Sequence, residues 1–250
     1  MKVLALIPAR MGSSRFPGKP MAPLLGRPMV GHVHNRVDLC PLVDTTVVAT
    51  CDDEIAAYVT SIGGLAVMTS PTHERASDRC AEALRVLEKK NDTAFDVVVM
   101  IQGDEPMTHP DMIGEALAPF AKDDSVEVVN LLGTIESNAE FMDRNCIKVV
   151  CDQMGNAVYF SRSPIPTSGL GNISMGKQVC IIPFRRDFLL EYAAMEPTPL
   201  EIAESVDMLR VLEHGRKVRM VQTEHYSHAV DTPEDLLRVE GLMKKIGGFD

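Results

Sequence analysis

Pro8-Ala9-Arg10-Met11-Gly12-Ser13-Ser14-Arg15-Phe16-Pro17-Gly18-Lys19-Pro20 follows directly on an apolar run at residues 3–7, and the reading of the fold turns on this stretch. The run is a short strand and the stretch is the loop it delivers. The loop gathers Arg10, Arg15 and Lys19 with no acid, in a chain whose formal net charge is -10. Such a loop is suited to an anion. Gly12 lets backbone N–H groups come close to a ligand, Ser13 and Ser14 add hydroxyl donors, and three cations neutralise several phosphate charges together. A triphosphate is the natural guest. Two familiar phosphate loops are excluded by spacing: Gly18-Lys19 is followed by Pro20 where a P-loop needs Ser or Thr, and no G-x-G-x-x-G follows the strand.

Outward from the loop the pattern alternates between strand and helix. Met29, Val30, Val33 and Val37 recur at helical spacing, with Pro28 suited to the first helical position. Residues 45–50 are a β-branched strand, after which Asp52 can cap a helix that buries Ile55, Tyr58, Val59 and Ile62 and stops at Gly63-Gly64. Residues 65–68 form a third short strand, and Ser77 can cap the helix carrying Cys80, Ala83, Leu84 and Leu87. This alternation is the opening of a parallel α/β sheet.

Residues 96–101 are apolar throughout, as a strand buried on both faces must be, and they deliver Gln102-Gly103-Asp104-Glu105-Pro106. Ligands of open α/β sheets sit beyond the carboxyl ends of the strands, so Asp104 is expected to face the same crevice as the Arg10 loop. There Asp104 can ligate a divalent cation and Gln102 can hydrogen-bond a ligand hydroxyl. Pro110 and Asp111 are better placed to open the next helix, which leaves Asp104 for the crevice.

Residues 126–132, 147–151, 157–160 and 179–183 are four short extended segments with few helical patterns between them. They predict a smaller, more antiparallel insertion at about residues 133–198, with residues 169–176 as a flexible loop. A helix over 199–213 would turn Val206, Leu209 and Leu212 inward and expose Asp207, and residues 218–222 read as a late strand. In Val230-Asp231-Thr232-Pro233-Glu234-Asp235-Leu236, Thr232 caps the last helix, Pro233 suits its first turn and Asp235 completes a capping box. Capping accounts for every polar residue of this run except Asp231, which is therefore the candidate for a second metal ligand.

The chain of 250 residues is long enough for one large α/β domain, 1–250, and is 45% hydrophobic. Thirty-five acidic against twenty-five basic side chains exclude a general nucleic-acid or anionic-membrane surface. Cysteines 40, 51, 80, 146, 151 and 180 show neither zinc nor disulfide spacing and read as reduced thiols. No apolar run approaches about 18 residues, so a cytoplasmic location is the default expectation.

Taken together, Ile7-Pro8-Ala9-Arg10, the run from Gly12 into Met21, Gly26-Arg27-Pro28-Met29-Val30, Tyr159-Phe160-Ser161-Arg162 and the Asp231 motif resemble the sugar-acid cytidylyltransferases. Within these the chain is most similar to the 3-deoxy-manno-octulosonate (Kdo) cytidylyltransferases, along almost its whole length. Sugar-1-phosphate nucleotidyltransferases share the later part of the loop but have a glycine-rich opening where this chain has Ala9-Arg10. The resemblance implies a Rossmann-like nucleotidyltransferase fold, with the insertion serving sugar binding and dimerisation. It also implies a homodimer that joins CTP to a 3-deoxy-2-keto sugar acid with Mg2+. The nucleotide set it implies is Pro8, Ala9, Arg10, Ser14, Arg15, Lys19, Arg75, Ala76, Arg79 and Asp104, with Arg10, Lys19 and Asp104 catalytic. Gln102, Arg162 and Asp207 would meet the sugar acid, Arg162 through a two-pronged fork on its carboxylate, and Asp104 and Asp231 would hold the metal.

The chain departs from that pattern at three places. The family's His-x-Ser-Gly-Thr-Glu-Arg segment is His73-Glu74-Arg75-Ala76-Ser77-Asp78-Arg79 here. A His-x-Gly-x-Tyr-x-Tyr strand is replaced by the run from Gln178 to Arg185, and a Glu-Gln pair by Asp207-Met208. The sugar is therefore Kdo or a relative such as 8-amino-Kdo, whose amine would suit Asp207. Another sugar or a sugar-1-phosphate is an alternative, as is a non-catalytic nucleotide-binding protein. A glycosyltransferase is disfavoured because there is no D-x-D motif.

Overall fold

The computed structural model describes residues 1–13, 15–167 and 174–247. In chain order the elements are β1 (Val3–Ala9), β2 (Pro23–Leu24), β3 (Arg27–Pro28), α1 (Met29–Asp38), β4 (Thr45–Thr50), α2 (Asp53–Ser61), β5 (Leu65–Met68), α3 (Ala76–Asn91), β6 (Val97–Ile101) and α4 (Pro110–Leu117). They continue as β7 (Val129–Thr134), α5 (Asn138–Met142), β8 (Lys148–Cys151), β9 (Ala157–Ser161), β10 (Gly176–Val179), β11 (Ile181–Arg185), α6 (Arg186–Tyr192), α7 (Pro199–Glu204), α8 (Met208–Glu213), β12 (Arg219–Gln222) and α9 (Pro233–Ile246). Among the described residues no helix is long and apolar enough to cross a membrane.

The chain divides into two compact units, Met1–Gly114 with Tyr226–Asp250, and Glu115–His225. The second is wider than the 133–198 insertion of the sequence reading, because strands at its two ends, β7 and β12, pair with each other in parallel and belong to one sheet.

In the first unit β6, β1, β4 and β5 lie side by side in that order. β1 is parallel to both neighbours, with Val3 opposite Val97 and Leu4 opposite Thr45. Strands β1 and β6 are buried at every residue, which is why both are written without polar alternation. Helix α3 buries Cys80, Ala83, Leu84 and Leu87 at helical spacing and α1 buries Met29, Val30, Val33 and Val37, as the periodicity predicts. The parallel order brings the carboxyl ends of β1 and β6, and so the Arg10 loop and Gln102-Gly103-Asp104, to one edge.

In the second unit the sheet order is β12, β7, β10, β8, β9, and every pairing except the parallel β12–β7 ladder is antiparallel. The predicted antiparallel character is therefore present, with two local corrections. The single strand read over 179–183 is two strands, β10 and β11, interrupted at Cys180. The single helix read over 199–213 is α7 and α8, because Ser205 takes the left-handed backbone conformation (φ 52°) and ends the first of them. An aromatic group, Phe184 with Phe188 and Tyr192 at ring separations of 6.4 and 5.8 Å, packs α6 against β11. All six cysteines are free thiols, and burial, followed by the charge of Glu140, pushes Cys146 up to about 11. Residues 169–173 of the predicted flexible loop lie outside the described residues.

Candidate active site

A cavity of about 310 Å³ opens in the first unit, at the low end of the range of small-molecule sites. Pro8 and Ala9 line it from the end of β1, Arg10, Arg15 and Lys19 from the loop that follows, Arg75, Ala76 and Arg79 from the start of α3, Gln102 and Asp104 from the end of β6, and Asp231 from the segment before α9. Of the nucleotide and metal candidates read from sequence, the cavity thus brings together all but Ser14, which lies outside the described residues.

Its charge centre is Lys19. The Lys19 Nζ donates to Asp104 Oδ2 at 2.6 Å and to Asp231 Oδ1 at 3.3 Å, and Arg15 Nη2 reaches the same Asp231 oxygen at 2.9 Å. Lys19 is only 12% exposed and the two carboxylates 23% each, whereas Arg15 is 52% exposed. Two carboxylates 127 positions apart in sequence therefore converge on one ammonium (231 against 104). Asp231 is available for this because Thr232 accepts the Asp235 N–H and Asp235 in turn accepts the Thr232 N–H, the reciprocal cap expected of α9. The pair suits magnesium, a hard cation that takes one or two protein carboxylates and fills its remaining positions with water and phosphate oxygens.

Gly103 makes the edge possible. A Cβ at this position would stand 2.9 Å from the Pro8 carbonyl oxygen, which is backbone and cannot swing away. Gly103→Ala is expected to cost about 1–3 kcal/mol through this overlap, read as a lowered thermal midpoint.

Asp52, His73 and Glu74 also shape the site, although the sequence reading assigned none of them to it. Asp52, read as the cap of α2, makes no side-chain cap there and instead accepts the Met11 N–H at 2.8 Å, fixing the root of the cationic loop. Its position at the end of β4, the strand beside β1, is the only clue, through the rule that such ends border the ligand crevice. Ser77, also read as a cap, is buried inside the first turn of α3, whose N-cap is Arg75. His73 and Glu74 line the cavity as well, and the His73 carbonyl accepts Arg10 Nη1 at 3.4 Å.

Glu82 of α3 then holds this loop in place by accepting the Ser70 N–H and pairing with the His73 ring. Burial alone would raise the Glu82 carboxyl, but the Ser70 N–H, the His73 bond and the charges of His73 and Arg79 outweigh it and leave it below its ordinary value of 4.5. A carboxyl depressed on folding stabilises the fold above its unfolded pKa and loses that contribution as pH falls through the folded one. Amide exchange at Ser70, corrected for intrinsic rates, is expected to rise as pH falls below 4.5, and Glu82→Gln is expected to remove that dependence. Arg79, only 2% exposed, donates to Thr69 Oγ1 at 2.5 Å and to the Ser70 carbonyl at 3.4 Å, so it braces the same loop from beneath.

The remaining two candidates, Arg162 and Asp207, belong to the second unit. The Arg162 guanidinium donates to the carbonyls of Glu204 (2.6 Å), Arg144 (3.0 Å) and Ser205 (3.2 Å), and its backbone N–H to the Glu204 carboxylate. The fork expected to meet a sugar carboxylate thus ties β9 to the end of α7. The buried Lys148 completes this arrangement, donating to the carbonyls of Asp143, Cys146 and Arg162. Asp207 stands at the N-cap of α8, half-buried, and its carbonyl accepts the Tyr192 hydroxyl at 3.2 Å. It sits in the joint between two helices rather than on the exposed face of one, which corrects its reading as a residue displayed by a single helix.

With this geometry established, comparison with known proteins gives consistent findings. A family model described as Cytidylyltransferase matches residues 4–218. The 3-deoxy-manno-octulosonate cytidylyltransferase of Geobacter metallireducens is 44% identical, over 96% of this chain and 96% of that protein. Its counterpart in Geobacter sulfurreducens is 43% identical, over 98% and 100%. Among solved structures, a CMP:2-keto-3-deoxy-manno-octonic acid synthetase complexed with CTP matches with a TM-score of 0.90 at 35% identity, covering 99% of this chain and 100% of that one. A 4-diphosphocytidyl-2C-methyl-D-erythritol synthase from Anaerococcus prevotii shares the fold, with a TM-score of 0.63 at 13% identity over 97% and 98%.

Proposed function

The chain belongs to the cytidylyltransferase family, and from that membership we propose that it joins the anomeric hydroxyl of 3-deoxy-manno-octulosonate, or of a close 3-deoxy-2-keto sugar acid, to the α-phosphorus of CTP. The products are the CMP-sugar and pyrophosphate, the sugar being activated for cell-surface glycan synthesis such as that of lipopolysaccharide. The observation that carries this reading is the convergence of Asp104 and Asp231 on Lys19, inside a cavity lined by Arg10, Arg15 and Arg75.

Both substrates are anions, so the first task of the site is to suppress their repulsion and stabilise charge that develops on phosphate. Arg10 and Lys19 supply fixed positive charge at the mouth of β1, and the more exposed Arg15 can turn from Asp231 to a phosphate oxygen. Lys19 keeps two neighbouring carboxylates compatible within one small volume. Magnesium held by Asp104 and Asp231 would neutralise the reacting phosphates and lower the pKa of the attacking hydroxyl. Gln102 lines the same cavity and offers an amide to a sugar hydroxyl.

The test is pyrophosphate release in magnesium with each nucleoside triphosphate, using Kdo, 8-amino-Kdo and other 2-keto acids in turn, with product masses recorded. A CMP-sugar from CTP alone supports the reading. A product from a sugar-1-phosphate or another nucleotide would replace it, and no pyrophosphate with any pair would favour a nucleotide-binding protein without turnover. A homodimer and a cytoplasmic setting belong to the same reading, checked by analytical ultracentrifugation and cell fractionation.

A further inference from the structure

Asp231 stands at the end of a segment, residues 226–231, that has no helix or strand hydrogen bonding of its own. Something outside the segment must therefore hold it. Two adjacent residues at the end of β6 do so: the Asp104 carbonyl accepts the Val230 N–H at 2.9 Å, and the Glu105 carboxylate accepts the Ser227 hydroxyl. The Val230 side chain is fully buried in a cluster with Leu24, Met29 and Met107.

Glu105 is itself a rigid anchor. It is only 5% exposed, its N–H donates to the Gln102 carbonyl at 3.3 Å, and its carbonyl accepts both the N–H and the hydroxyl of Thr108, at 3.1 and 2.9 Å. The Thr108 carbonyl in turn accepts Arg36 Nε at 3.0 Å, which links the turn to α1. A carboxylate so deeply buried is costly unless hydrogen-bonded, and here its bond goes to the segment that ends in Asp231. We infer that Glu105 is a positioning residue of the site: through Ser227 it holds the returning segment so that the Asp231 carboxylate stays within reach of the one on Asp104. Asp104 and Glu105 then divide the work, the first facing the cavity and the second fixing its distant partner. This rests on the reading of Asp104 and Asp231 as a metal-binding pair.

The experiment compares wild type with Ser227→Ala, Ser227→Thr and Glu105→Gln in the full chain. Without added ligand, amide exchange across residues 226–231 is expected to rise about tenfold or more in Ser227→Ala, with β1 and β6 unchanged. Manganese, counted by its free-ion paramagnetic resonance in the presence of CTP, is expected to bind about tenfold more weakly, while CTP affinity changes less than about twofold. Ser227→Thr restores the hydroxyl and is expected to restore both values. Glu105→Gln keeps an oxygen that can accept the hydroxyl and is expected to fall between wild type and Ser227→Ala. The inference is overturned if exchange in Ser227→Ala stays at the wild-type rate, or if exchange rises without weaker manganese binding. Equal losses of manganese, CTP and melting temperature would also overturn it, since they would mark a merely structural contact. A wild-type protein that binds CTP but no manganese would refute the metal reading of the pair, and with it the positioning role, while the exchange rates would still report whether the tie holds the segment.

Discussion

Asp104→Asn is expected to lower the turnover of pyrophosphate release by about a thousandfold, and Asp231→Asn by about a hundredfold or more, the scale on which removing one preorganised charge from a reaction centre acts. The order follows from the contacts. Lys19 Nζ lies 2.6 Å from Asp104 and 3.3 Å from Asp231, so loss of the first charge removes the closer partner of the central cation as well as one of the two proposed metal ligands. Loss of the second leaves Lys19 on Asp104 and weakens the hold on Arg15, whose Nη2 lies 2.9 Å from Asp231 Oδ1. Both variants replace one oxygen by an amide of equal size, so circular dichroism and melting are expected to stay near wild type. The measurement is steady-state turnover across a magnesium titration with CTP and the sugar acid. Near-normal rates in both variants would remove the two-carboxylate reading of the site.

The second large effect concerns stability. In the second unit Glu201 of α7 is completely buried and Arg210 of α8 is 3% exposed. They form a two-pronged pair, Nε to Oε2 and Nη2 to Oε1, both at 2.7 Å. The remaining capacity is also used: Arg210 Nη1 lies 3.4 and 3.3 Å from the carbonyls of Tyr192 and Met195, its guanidinium stacks 4.6 Å from the Tyr192 ring, and Glu201 accepts the Thr198 N–H at 3.3 Å. Glu201→Ala would leave a guanidinium in a dry interior without its counter-charge. The expected cost is about 3–5 kcal/mol, the range for breaking a buried pair from one side. Glu201→Leu with Arg210→Met is expected to cost less than Glu201→Ala, because no orphan charge remains. Urea unfolding of the single and double variants, followed by far-ultraviolet circular dichroism, checks the order. A single variant as stable as wild type would show that the pair contributes little.

The two effects differ in how far each could be read from the chain. Asp104 follows a run of five apolar residues at the end of a strand, and Asp231 is the acid left ahead of the helix that Thr232 and Asp235 cap. Both inferences need only nearest neighbours along the chain, so they survive without coordinates. The Glu201–Arg210 pair needs α7 and α8 to fold back on each other at Ser205, a left-handed residue that the periodic pattern of 199–213 conceals. Arg162 shows the opposite case. Its motif was legible, but the carbonyls that occupy its guanidinium come from Arg144, Glu204 and Ser205, as far as 43 positions away.

What the amino-acid sequence determined by itself was the alternation of strands and helices in the first unit, the cationic loop after β1, the acid at the end of β6 and the cap that leaves Asp231 over. Hydrophobic period, capping and strand-end chemistry act over a few residues, so they are written locally. Only the tertiary structure decided that Asp52 holds Met11 rather than capping α2, that Glu82 braces the loop after β5, that Glu105 reaches Ser227, and that Arg162 ties main chain together. A side chain's partner across 41 or 122 positions is chosen by which strand ends the sheet order sets side by side, and no periodicity within a single segment encodes that choice.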